Sequence, residues 1–103
     1  MKLTRHANAI WQGTGKDGKG TISTQSKTLD NDQLSYKSRF ESGVGTNPEE
    51  LIAAAHAGCF SMKLAFVLSE LGYTPTVLHT TAKVTLEDGS VSNITLELHA
   101  QIP

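Results

Sequence analysis

The chain holds one cysteine, Cys59, and a histidine, His56, lies three residues before it in a run that reads as helix. Residues three apart on a helix share a face, so an imidazole and a thiol can meet there. Three chemistries fit the pair. As metal ligands they make half a site, with no other Cys and with the three remaining His scattered along the sequence. As nucleophile and base they fit thiol catalysis, because imidazole favours the thiolate, the reactive form of sulfur. As packing residues both can be inert, since free Cys is among the most buried residue types. Spacing by itself does not choose among them.

Arg39, Glu49 and Glu50 bear on the choice. An arginine on a sheet face beside a buried helix needs an anionic partner, a carboxylate or a thiolate. Glu50 stands three residues after Asn47, the capping-box spacing, which leaves Glu49 freer to bond Arg39. The plainer alternative is a solvated strand arginine and a first-turn glutamate drawn only to the helix dipole. Gly13, Gly15 and Gly18 spell G-x-G-x-x-G, but a strand-like run follows where dinucleotide binding requires a helix, so the segment reads as a hairpin loop. The Asn93–Thr95 sequon carries no information without a secretory context.

The elements that must position these groups are legible. Residues 4–12, 21–28 and 34–41 read as strands, the last because Tyr36, Ser38 and Phe40 alternate with Lys37, Arg39 and Glu41. A helix is expected from Pro48 to Leu71, with Asn47 as N-cap, Pro48 at N1 and Gly72 just past its end. It spans about 35 Å. Its middle, LIAAAHAGCFSMKLAFVL, is apolar nearly all round, the mark of a helix buried in a membrane or at the centre of a protein. Lys63, His56, Gly58 and Ser61 interrupt it and favour the protein interior. In a domain this small, burial on several sides calls for a symmetric second copy. Residues 77–102 read as a hairpin turning at Asp88–Gly89, with apolar residues favouring the even-numbered positions. The fold class is α+β, a mainly antiparallel sheet packed on a long buried central helix.

Length and composition set the outer bounds. The 103 residues suffice for one domain, 38% of them are apolar and 18% charged, and the net charge is -1. That balance offers no electrostatic footprint for nucleic acid or an anionic membrane. A lone thiol excludes a disulfide-stapled scaffold, and the N-terminal MKLTRHANAIWQG lacks a signal-peptide core, so a cytoplasmic address is expected.

Taken together, R-F-E at 39–41, G-T-N-P-E-E-L at 45–51, A-A-H-A-G-C-F-S-M at 54–62 and G-Y-T-P-T at 72–76 resemble the OsmC/Ohr family. These are the osmotically inducible protein C and organic hydroperoxide resistance proteins, and N-P-E-E-L with A-A-H-A-x-C-F-S-M resembles the OsmC branch. The resemblance implies a thiol-dependent peroxidase that reduces organic hydroperoxides to alcohols in stress defence. It implies an intertwined homodimer with active sites at the subunit interface, and no cofactor or metal. Cys59 matches the peroxidatic cysteine, Glu49 the motif glutamate, and Arg39 the active-site arginine of the OsmC branch. His56 and Glu50 would stand behind them. A guanidinium near the thiol favours the thiolate and orients the peroxide, Glu49 holds the guanidinium, and Cys59 becomes a sulfenic acid.

The resemblance also implies a second, resolving cysteine in a C-terminal region, and residues 1–103 read as one OsmC-like domain lacking it. An external thiol or dithiol is then the expected reductant. The alternatives are a non-catalytic remnant and a redox-sensing thiol protein. Geometry adds one constraint. Ten helical residues place Glu49 about 15 Å along the axis from Cys59 of its own chain. Either the helix breaks near Gly58, or Glu49 serves the partner's Cys59, which is the expectation adopted.

Overall fold

Strands β1 (Ala7–Gln12) and β2 (Lys19–Thr24) pair antiparallel on either side of the glycine-rich segment, Ala7 opposite Thr24 and Gln12 opposite Lys19. No helix follows the glycines, so G-x-G-x-x-G is a hairpin loop. These elements belong to a computed structural model that describes all 103 residues as two compact units, Met1–Pro48 and Glu49–Pro103. Only part of the glycine pattern is structurally required. The Trp11 indole donates to the Thr14 carbonyl at 3.2 Å. A Cβ on Gly18 would lie 2.5 Å from the carbonyl oxygens of Gln12 and Thr14 and 2.8 Å from the Trp11 ring nitrogen. Gly15 has open space where a side chain would go.

Strand β3 (Asp32–Leu34) adds to the other edge of β2, giving a three-stranded antiparallel sheet in the order β1-β2-β3. Here the expected strand over 34–41 fails. The strand stops at Leu34, and Tyr36–Phe40 form a short helix, α1. Serine chemistry explains the switch. The Ser35 hydroxyl accepts from the Ser38 amide at 3.1 Å, and the Ser38 hydroxyl accepts from the Ser35 amide at 3.0 Å. This reciprocal capping box satisfies donors that a strand ladder would otherwise use. The spacing that looked like alternation instead stacks Tyr36 on Phe40, one helical turn apart, with ring centroids 4.8 Å apart.

The second unit is built on helix α2 (Pro48–Glu70), which begins at the expected proline. Its end is a Schellman motif: the Gly72 amide donates to the Ser69 carbonyl at 3.0 Å and the Tyr73 amide to the Leu68 carbonyl at 2.9 Å, with Gly72 at φ 88°. Strands β4 (Val77–Glu87) and β5 (Ser90–Gln101) form a separate two-stranded antiparallel sheet. Asp88 and Gly89 turn it with φ of 50° and 80°, the double positive φ of a two-residue type I′ turn. Leu78, Thr80, Ala82, Val84 and Leu86 are half-buried while their odd-numbered neighbours are exposed. Cross-strand pairs Leu78–Ala100, Ala82–Leu96 and Val84–Ile94 place the apolar residues of both strands on that face. A bulge follows: Thr85 faces Asn93, but Leu86 faces Val91, so Ser92 is the extra residue. The bulge keeps Val91 opposite Leu86 although the even-numbered pattern has ended.

The chain is α+β, with antiparallel sheets and a helix packed on the hairpin. No apolar side chain in it is fully buried. Helix α2, with a mean hydropathy of 1.7 over its most apolar window, is long and apolar enough to span a membrane by length and composition.

Gly18→Ala is expected to lower stability by about 1–3 kcal/mol through overpacking against Trp11 and the two carbonyls. Gly15→Ala, in the same loop, should change stability by no more than about 0.5 kcal/mol. Paired thermal melts check both.

Candidate active site

Helix α2 is continuous from Pro48 to Glu70, so it does not break at Gly58. His56 and Cys59 therefore share a face of one regular helix, and Glu49 lies about 15 Å along the axis from Cys59 of the same chain. The Cys59 thiol is free and exposed, His56 is half-buried, and Glu50 is exposed. Glu49, by contrast, is only 8% exposed, an unusual place for a carboxylate in the first turn of a helix.

What surrounds Cys59 follows from which face of α2 the hairpin takes. The Ser61 hydroxyl donates to the Ala57 carbonyl at 2.9 Å and is hydrogen-bonded to the Thr80 hydroxyl of β4 at 2.7 Å, where either oxygen can be the donor. Thr80 belongs to the half-buried face of the hairpin, so the Ser61 side of α2 lies against that face. Ala57, Ser61, Leu64 and Leu68 recur at helical spacing along this side and are all half-buried. The other side carries Ile52, Ala55, Cys59, Met62, Phe66 and Ser69, spaced alternately three and four residues apart and all exposed. Met62 and Phe66 are each 65% exposed. With Ala65 and Ser69 they line a surface hollow of about 240 Å³. The thiol thus sits in the middle of an apolar stripe that its own hairpin leaves open, in the three–four spacing of a helix–helix seam.

Arg39 is placed by the first unit. It rides on α1 rather than on a sheet face, with its guanidinium carbon 5.2 Å from the centre of the Phe40 ring. It also edges an apolar cavity of about 220 Å³ lined by Trp11, Leu34, Tyr36, Phe40 and Pro48. A cation against aromatic faces is stabilised by their quadrupoles. It can also hold an anionic or strongly polar group while the ring walls accept an organic one. The sequence reading missed this cavity. The signal was the four-residue spacing of Tyr36 and Phe40, which suits a helix as well as Ser35 suits its cap.

Residues 40–103 match the family model described as OsmC-like protein. The chain is 44% identical over 107 aligned positions to Peroxiredoxin OsmC of Escherichia coli (strain K12), and equally to that of Shigella flexneri. Both alignments cover 100% of this chain and 75% of the relative. The chain belongs to the OsmC-like family. Its fold agrees. The crystal structure of an organic hydroperoxide resistance protein from Elizabethkingia anophelis, with crystallant-derived thiocyanate bound, superposes with a TM-score of 0.62 at 27% identity. That match covers 100% of this chain and 74% of the other. In this OsmC-like chain the only thiol of the 103 residues is therefore the exposed one on the apolar stripe.

The Ser61–Thr80 contact should be energetically real. A double-mutant cycle with Ser61→Ala and Thr80→Val is expected to give a coupling of about 1 kcal/mol in chemical denaturation.

Proposed function

We propose that this protein is a cysteine-based peroxidase that reduces organic hydroperoxides to alcohols, with Cys59 as the nucleophile. The observation that carries the reading is the 44% identity to Peroxiredoxin OsmC along the whole chain, which includes the one cysteine. The thiolate of Cys59 attacks the distal peroxide oxygen. The O–O bond breaks, an S–O bond forms, and the departing alkoxide takes a proton and leaves as the alcohol. The sulfur has lost two electrons and stands as a sulfenic acid. An external thiol condenses with it, releasing water and forming a mixed disulfide. A second thiol of the same reductant then displaces Cys59 as the free thiol.

Arg39 is the guanidinium that favours the thiolate and orients the peroxide, and Glu49 is the carboxylate that holds it. The buried position of Glu49 and the aromatic, apolar wall beside Arg39 support these roles, the latter because it suits the organic substituent of the substrate. His56 and Glu50 stand behind this set, His56 on the thiol's face of the helix and Glu50 in its first turn. The family match over 40–103 runs across the boundary between the two units and supports reading 1–103 as one OsmC-like domain.

The working form is a homodimer in which a second copy covers the Cys59 stripe. Its support is the exposed, helically spaced apolar row from Ile52 to Phe66, a surface of the kind that monomers seldom leave open. The reading that protein rather than lipid covers α2 is supported by its opposite face, which meets the hairpin at the Ser61–Thr80 contact. The unbroken helix supports reading Glu49 as a residue of the other site, acting on the partner's Cys59. A cytoplasmic address suits a thiol that must return to the reduced state between turnovers.

One equivalent of cumene hydroperoxide should convert Cys59 to its sulfenic acid by mass spectrometry, and an added dithiol should sustain peroxide consumption. A thiol left unmodified would overturn the peroxidase reading. Cys59→Ser should reduce the rate to the uncatalysed background, and Arg39→Met should lower it by roughly 10²-fold. Glu49→Lys and Cys59→Ser chains, each inactive alone, should regain activity when mixed and allowed to exchange subunits. No recovery would rule out Glu49 acting across the dimer.

A further inference from the structure

His79 and His99 lie twenty residues apart in the sequence, and the hairpin sets them directly opposite each other on β4 and β5. Both are exposed. Being odd-numbered in β4, His79 points to the face away from Thr80, hence away from the side that seats α2. Residues directly opposite on antiparallel strands hold their Cβ atoms about 4.5–5.5 Å apart on the same face. Two imidazoles on such bases can converge on one ion at the ordinary metal–nitrogen distance of about 2.1 Å.

From this juxtaposition we propose that the outer face of the β4–β5 hairpin is a binding site for a borderline divalent transition-metal ion, chelated by His79 and His99. Imidazole nitrogen selects ions of the nickel, copper and zinc type over the hard, oxygen-seeking calcium and magnesium. No third His, Cys, Asp or Glu completes a set, so water fills the remaining positions and the ion exchanges readily. Glu97, two residues before His99 on the same face, is bonded by Lys83 at 3.0 Å. The β-sheet matters here as a scaffold. Paired strands fix both Cβ positions, so little conformational freedom is lost on chelation.

The site does not depend on the peroxidase reading, and its test has its own readout. Ni²⁺ added to the intact ¹⁵N-labelled chain should broaden amide signals of residues 77–81 and 97–101 first, with one ion bound per chain by calorimetry. His79→Asn and His99→Asn, both at exposed positions, should each keep the wild-type circular dichroism spectrum. Each should weaken Ni²⁺ binding by roughly 100-fold, because a single imidazole loses the chelate advantage. Cys59→Ser should bind as the wild type does. Wild-type affinity in either histidine variant would overturn the proposal. So would loss of binding in Cys59→Ser, or broadening centred on His6 or on His56 and Cys59.

Discussion

The structure turns on an imbalance in α2. Twenty-three residues of a strongly apolar helix meet a two-stranded hairpin that can cover only one side of it. The hairpin takes the side bearing Ala57, Ser61, Leu64 and Leu68, and the single hydroxyl–hydroxyl contact between Ser61 and Thr80 marks where the two meet. Apolar area left in water costs about 25 cal/mol per Å², so an open row with Met62 and Phe66 mostly exposed is a standing drive toward association. Cys59 belongs to that open row. The one thiol of the chain is thus presented where an apolar cover would exclude water. Exclusion of water strengthens the electrostatic interactions on which thiolate chemistry relies.

The two units solve different problems. The second unit supplies length and rigidity: a continuous helix closed by a Schellman motif and a hairpin turned by Asp88–Gly89. The first unit carries Arg39. Arg39 would be unremarkable on a strand open to solvent. On α1 it lies against Phe40 and at the rim of an apolar cavity. Trp11 contributes to that cavity from β1, and Gly18 makes room for the indole.

Much of this was legible in the sequence. The helix start at Pro48, its end at Gly72, the two-residue turn and the alternating apolar face of the hairpin all follow from local rules and appear in place. Residues 34–41 did not, because Tyr-Lys-Ser-Arg-Phe satisfies the two-residue period of a strand and the four-residue spacing of a helix equally well. What broke the tie was a pair of serine–amide hydrogen bonds at Ser35 and Ser38, a local signal easily outweighed by a pattern of alternation. The bulge at Ser92 was illegible for a different reason. It depends on how two strands align, and neither strand carries that alignment alone.

The sequence by itself determined that Cys59 lies in an apolar helix with His56 one turn before it, and that its motifs belong with the OsmC-like proteins. Those properties rest on spacing within a few residues, and a helix preserves such spacing whatever surrounds it. Only the tertiary structure decided which side of α2 stays open, that Trp11 joins Tyr36 and Phe40 around the cavity beside Arg39, and that His79 faces His99. Each of these needs groups far apart in the chain to meet. Such meetings are set by strand register and by competition between faces for burial, and no window of sequence contains either.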